Sequence, residues 1–220
     1  MTRSTLPTAT AVALTLATAL ALTACGSDSK PSNEISGIPT TAATTAPATP
    51  SATPGDSVKR PPTDLPSDLK MVFTWPKTGD SARDSVLNDG EQYIRAIKRA
   101  SAKNDLKDPA YAFYSRNEGL VYAHNQVKAN IDGGWAPTGD DRYYEAKADV
   151  FKAGSATLTF CRDQSKVFSK KVKTGEVVRS PANDKSYVLY NLLLVKDGSS
   201  NGVWQTSKIT VLEGALQCKG

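Results

Sequence analysis

The chain has 220 residues and a formal net charge of +5, with 39% hydrophobic and 22% charged residues. It has three cysteines and one histidine, too few for a zinc-ribbon or multi-histidine metal centre. The charge is mild for this length and does not point to nucleic acid.

Residues 1–24 read as an export signal. Arg3 opens a short basic region, an apolar run from Ala9 to Ala24 follows, and small residues precede Cys25. The run has 16 residues diluted by threonine, short of the about 20 apolar residues that a membrane span requires. Leu22-Thr23-Ala24-Cys25 resembles the bacterial lipobox. That resemblance implies cleavage before Cys25, a diacylglycerol thioether on its sulfur and anchorage at the outer face of the cell membrane. Palmitate-like acyl chains would then hold the mature N-terminus on the bilayer. Without the signal the chain keeps 26 Lys+Arg against 22 Asp+Glu.

Residues 25–66 read as a lipidated N-terminus and linker. Eight of the thirteen prolines fall between 26 and 66, in runs such as PTTAATTAPATPSATPGD, and no aromatic residue does. Such a composition cannot offset its ordering entropy by burial, and predicts a disordered, semi-stiff stalk. Residues 67–220 are left as one globular domain.

The first half of that domain predicts helices. Val86, Leu87, Tyr93, Ile94, Ile97 and Ala100 form one stripe behind an N-cap at Asp80 or Ser81. Gly90 inside that stripe points to a close contact. Asp108-Pro109 opens a second helix with Tyr111 and Tyr114 facing inward. A third carries Leu120, Val121, His124, Val127 and Ile131 and stops at the glycines of DGG, residues 132–134. DGGWAPTGDD reads as a loop, with Trp135 plugging one end of the core.

The second half predicts antiparallel strands: RYYEAKADVF, SATLTFCRD, a basic hairpin or edge in KVFSKKVKTGEVV, then SYVLYNLLLV and NGVWQTSKITVLEG, joined through a turn at Asn201-Gly202. Cys161 and Cys218 fall in this half. In an exported compartment an isolated pair is most simply a disulfide, worth about 4 kcal/mol on the chain-entropy model.

Helices followed by strands make an α+β plan. The order, with YIRAIKRAS…DPAYAFYS…GLVYAHNQV and ADVFKAGSATLTFCRD, resembles the cystatin-like cone fold named after nuclear transport factor two. More narrowly, it resembles exported actinobacterial lipoproteins of that fold. The resemblance implies three N-terminal helices packed on a curved antiparallel sheet.

No catalytic motif is present: no G-x-S-x-G, H-E-x-x-H, P-loop or dinucleotide fingerprint. His124 is the one candidate base, with Asp132, Asp140 and Asp141 as acids close in sequence, and its plainer reading is a histidine at the core edge. Ketosteroid isomerases and limonene-epoxide hydrolases share only the cone architecture. The expectation is therefore no enzymatic activity, no cofactor and no metal.

Two features point to binding instead. Tyr93, Tyr111, Tyr114, Tyr122, Tyr143, Tyr144 and Trp135 would fill or line a cone. Lys166, Lys170, Lys171, Lys173 and Arg179, with Arg95, Lys98, Arg99 and Lys103, offer a basic face. The leading expectation is a lipid-anchored binding or scaffold module that presents its domain to a protein of the cell envelope. An exposed apolar patch around Trp75 or Trp204 would serve that role. The alternative is a carrier or sensor of a small lipophilic ligand in an aromatic-lined cone.

Overall fold

A computed structural model describes residues 58–219, apart from Ala153 and Asn201. The signal, Cys25 and most of the stalk lie outside the described residues, as does Asn201 of the expected turn.

The domain is a six-stranded mixed sheet with helices on one face. It begins with a strand the sequence reading did not assign, β1 (Leu69–Phe73), which pairs parallel to β2 (Trp135–Phe151). The expected sheet was antiparallel throughout, and this edge is the exception. The helices come next: α1 (Ser81–Lys103), α2 (Pro109–Phe113) and α3 (Asn117–Gly133). They lead into β2, β3 (Ser155–Lys171), β4 (Val177–Val178), β5 (Tyr187–Val195) and β6 (Gln205–Glu213), with spatial order β1-β2-β3-β5-β6. The two-residue β4 pairs with the far end of β3, as the expected basic edge.

Local signals account for the first two helices. Asp80 accepts from the Ala82 and Arg83 amides and caps α1, and all six residues of its apolar stripe are buried. Asp108 caps α2 through the Ala110 amide, with Pro109 at the first position. Tyr111 and Tyr114 are both buried, as the pattern requires.

Helix α3 keeps part of its expected stripe, with Val127 buried and Leu120 and Ile131 packed against the core. Its buried face is Gly119, Ala123 and Val127, while Val121 is 59% exposed. Small residues won over large ones because α3 lies almost in contact with β6. A Cβ on Gly119 would stand 2.1 Å from the Thr206 carbonyl oxygen. Gly90 of α1 marks a similar approach, 2.3 Å from the Leu158 Cδ2 atom.

The segment DGGWAPTGDD is not a loop. Strand β2 begins at Trp135, immediately after α3 caps at Gly134. Two irregularities then bend the β2–β3 ribbon. Asp140 faces Lys166 and Arg142 faces Asp163, so Asp141 lies opposite the two residues between them. Further along, Glu145 and Ala146 together oppose Phe160, and Glu145 takes φ 52°. A bulge of this kind reverses which alternate residues face inward. Asp141 and Tyr143 point to the core before it, Ala146 and Ala148 after it.

The core lies between the helices and this face. Val86, Tyr93, Val127, Leu158, Phe160 and Leu194 are among its fully buried members. Strand β5 alternates, with Val188, Tyr190, Leu192 and Leu194 inside and Asn191 and Leu193 exposed. A smaller cluster on the opposite face gathers Cys161, Cys218, Tyr144, Tyr187 and Leu189. The Cys161–Cys218 disulfide is formed there, with Cα atoms 5.3 Å apart.

Residues 58–66, linker by composition, run along α1. Val58 and Leu65 pack against the core, Thr63 bonds Gln92, and Arg60 pairs with the buried Asp89. Burial raises the Asp89 carboxyl above its ordinary range, opposed by hydrogen bonds from the Trp204 amide and by the Arg60 charge.

Candidate functional site

A cavity of about 380 Å³ opens between α1, α3 and the sheet. Its size lies within the range of small-molecule sites, about 300–1,000 Å³. Ile94, Ile97, Pro137, Val167, Phe168 and Pro181 are the apolar part of its walls, interleaved with polar residues such as Ser101, Gln126, Asn130 and Ser169. Its polar floor comes from Lys98, Arg162, Tyr122, Tyr143 and Tyr190.

The floor is organised around Asp141, which is fully buried. Arg162 grips it with both arms, Nε to Oδ1 at 2.7 Å and an Nη to Oδ2 at 2.9 Å. Lys98 Nζ stands 3.2 Å from Oδ2, and the Tyr143 hydroxyl donates to the same oxygen at 2.9 Å. Such a bidentate pair is planar and charge-assisted, and fixes the guanidinium in place. The network continues from Arg162 to the Tyr190 hydroxyl at 3.4 Å, and from Tyr190 to Tyr122.

Burial sets the ionisation of these groups. For Asp141, desolvation disfavours the carboxylate, but the Arg162 and Lys98 charges overcome it and hold the group below its usual range. For Lys98 the balance runs the other way. Desolvation, then repulsion from Arg162, brings the ammonium down to about 8 despite Asp141. Burial raises the Tyr143 and Tyr122 phenols, which stay neutral. The resting floor thus carries two cations and one anion at pH 7.

The sequence placed most candidates elsewhere. His124 is half-buried on α3 and does not line the cavity. Of its three possible acids, Asp132 binds Lys128, Asp140 is exposed and Asp141 serves the floor. Among the aromatics, Tyr122 and Tyr143 reach the cavity, whereas Tyr93, Tyr111 and Tyr114 are core and Tyr144 lies on the disulfide face. Trp135 is half-buried at the start of β2.

The basic face is largely neutralised by local pairs. Arg95 bonds Glu91, Arg99 pairs with Asp108, Lys103 with Asp64, Lys170 with Asp68 and Lys171 with Glu176. The patch expected at Trp75 or Trp204 is absent. Trp204 is 4% exposed, and Trp75 packs against Phe73 and Phe160.

Sequence reasoning missed Arg162, Tyr190 and the role of Asp141. A signal existed: Ala156, Leu158 and Phe160 alternate inward, so two-residue spacing puts Arg162 on the same face. An arginine there needs a buried carboxylate. No group of three or more potential metal-binding side chains occurs among the described residues.

No family model matches the chain, and no curated protein matches it. Several solved structures are similar. A ketosteroid isomerase-like protein from Erwinia carotovora atroseptica has 18% identity over 61% of this chain and 97% of its own, with a TM-score of 0.42. The intermembrane space region of the chloroplast protein ARC6 has 10% identity, coverage of 63% and 99%, and a TM-score of 0.41. Aln2 from a Streptomyces species has 11% identity, coverage of 66% and 98%, and a TM-score of 0.42. Their chemistry does not transfer to this chain at such identities.

Proposed function

We propose that this protein is a lipid-anchored, extracytoplasmic binding module that receives a small molecule in the cavity between α1, α3 and the sheet. The observation that carries this reading is a cavity of about 380 Å³ whose walls mix apolar residues such as Ile94 and Ile97 with polar ones such as Gln126 and Asn130, and end on a fixed polar floor. Apolar walls supply affinity and a few convergent polar groups supply orientation. The anchor rests on the Leu22–Cys25 motif and the polar segment after it.

We place this carrier reading ahead of the scaffold reading. Trp204, one of the two rings around which a scaffold patch was looked for, is 4% exposed, and the half-buried Trp75 packs on Phe160. Binding without turnover is supported by the same floor. Asp141, the one carboxylate there, is committed to Arg162, Lys98 and Tyr143, and His124 stands off the cavity. No helix among the described residues is long and apolar enough to cross a membrane.

Two experiments test the two halves. Residues 26–220, which include the whole described domain, are screened for thermal stabilisation by a chemically varied set of small molecules. Hits are expected, and they should vanish in Gln126→Trp, which puts an indole into the cavity from α3. A set without a single hit, or hits indifferent to that substitution, would overturn the pocket. For the anchor, Cys25→Ser is expected to lose the membrane-bound mature form. Unchanged membrane retention with an unchanged mature mass would overturn it.

A further inference from the structure

We infer that the ligand is a small organic monoanion, a carboxylate on an apolar or aromatic body, whose head group meets Lys98 and Arg162 on the cavity floor. This inference rests on the binding reading above and adds the class of molecule bound.

Charge counting is the first argument. Lys98 and Arg162 bring two positive charges to the floor, and Asp141 returns one negative charge. Asp141 is fully buried, with Arg162 at 8% side-chain exposure and Lys98 at 18%. One positive charge is therefore left over in a water-poor place, where an unbalanced charge is costly. Among the described residues no aspartate or glutamate lines the cavity. The exposed Lys185 also lines it, so every charged side chain of the lining is a cation. Clefts with one sign of charge and low-dielectric walls concentrate the opposite charge.

Donor counting is the second. An ammonium has three N–H donors and a guanidinium five. The Asp141 contact occupies one donor of Lys98, while the bonds to Asp141 and Tyr190 occupy three of Arg162. Donors remain on both residues, and both line the cavity. A carboxylate has two oxygens that only accept, which complements this surplus. A cationic head would add a third positive charge to the floor, and a neutral alcohol would leave the surplus unmatched.

Shape is the third. Ile94 and Ile97 of α1 and Val167 and Phe168 of β3 all contribute to the lining. An amphiphile placed with its head on the floor lays its body against them.

The test is a head-group series on two bodies. Calorimetry on residues 26–220 uses decanoate, decanol and decyltrimethylammonium, then 1-naphthylacetate and 2-(1-naphthyl)ethanol. On at least one body the carboxylate is expected to bind ten-fold or more tightly than the alcohol, and the cation least. Lys98→Met keeps the Asp141–Arg162 pair and cancels the surplus charge. It should reduce that preference to under three-fold. Equal binding of carboxylate and alcohol to the unsubstituted protein would overturn the monoanion and leave the pocket standing. Failure of every member, whatever its head, would instead overturn the pocket. A preference that survives Lys98→Met unchanged would overturn the role of the floor.

Discussion

Lys98 and Asp141 meet at 3.2 Å across 43 residues of sequence, one from the longest helix and one from a bulged position of β2. The pair joins the helical layer to the sheet at the place where the cavity has its floor. Its energetics make several outcomes measurable.

Asp141→Asn removes the one anion that balances two buried cations. Breaking a buried ion pair from one side costs about 3–5 kcal/mol, and urea denaturation of residues 26–220 should show a loss of that order. The acid limb should change as well. The Asp141 carboxyl is held below its ordinary range by Arg162 and Lys98 against desolvation, so its stabilisation is present above pH 4 and lost as pH falls through the folded value. In the asparagine variant this contribution to the acid limb should disappear.

The alkaline side belongs to Lys98, which faces Asp141 and Arg162, with the neutral phenols of Tyr122 and Tyr143 alongside. Its folded value of about 8 lies below the ordinary 10.5, so between those two values the unfolded chain holds the proton and the folded chain does not. Stability of the natural protein relative to Lys98→Met should rise through that window, by at most about 3 kcal/mol. A difference that stays flat with pH would count against a desolvated Lys98. Carboxylate affinity should move the opposite way, falling as pH rises above about 8 and levelling off at the affinity of Lys98→Met.

Gly119→Ala and Gly90→Ala separate two kinds of close approach. At Gly119 the new methyl meets the Thr206 carbonyl, backbone that cannot step aside; at Gly90 it meets the end of the Leu158 side chain. The cost should be about 1–3 kcal/mol or more at Gly119 and smaller at Gly90. Chemical denaturation of both variants decides the order.

These particulars show which parts of the molecule could be read in advance. Helices α1 and α2 were legible because an aspartate cap, a proline at the first turn and a 3.6-residue stripe all agree within one segment. The face of α3 was legible at Leu120, Val127 and Ile131 but not at Gly119, whose fit against β6 lies far downstream, and a hydrophobicity pattern gives glycine no weight. Strand β1 escaped for a similar reason: its partner, β2, follows three helices later. The floor was hidden by register. Asp141 faces inward only because of the irregularities in the β2–β3 ribbon, and composition reads TGDD as turn chemistry. The disulfide needed only two cysteines.

The disulfide gives a last measurement. Thiol titration of unfolded, unreduced residues 26–220 should find no reactive cysteine. Replacing Cys161 and Cys218 together by alanine should cost about 4 kcal/mol, read from the denaturation midpoint and slope. Two titratable thiols per chain would contradict the pairing.

The place of that disulfide has a consequence for the ligand. A sheet is one residue thick, so Cys161 and Arg162, adjacent in β3, face opposite sides of it. The buried covalent bond to Cys218 therefore braces β3 on the face opposite the guanidinium of the floor. A head-group receptor braced in this way has little motion left to surrender when its guest arrives, and preorganisation of that kind is converted into affinity. The crosslink that holds the fold also keeps the receptor in the geometry its guest requires.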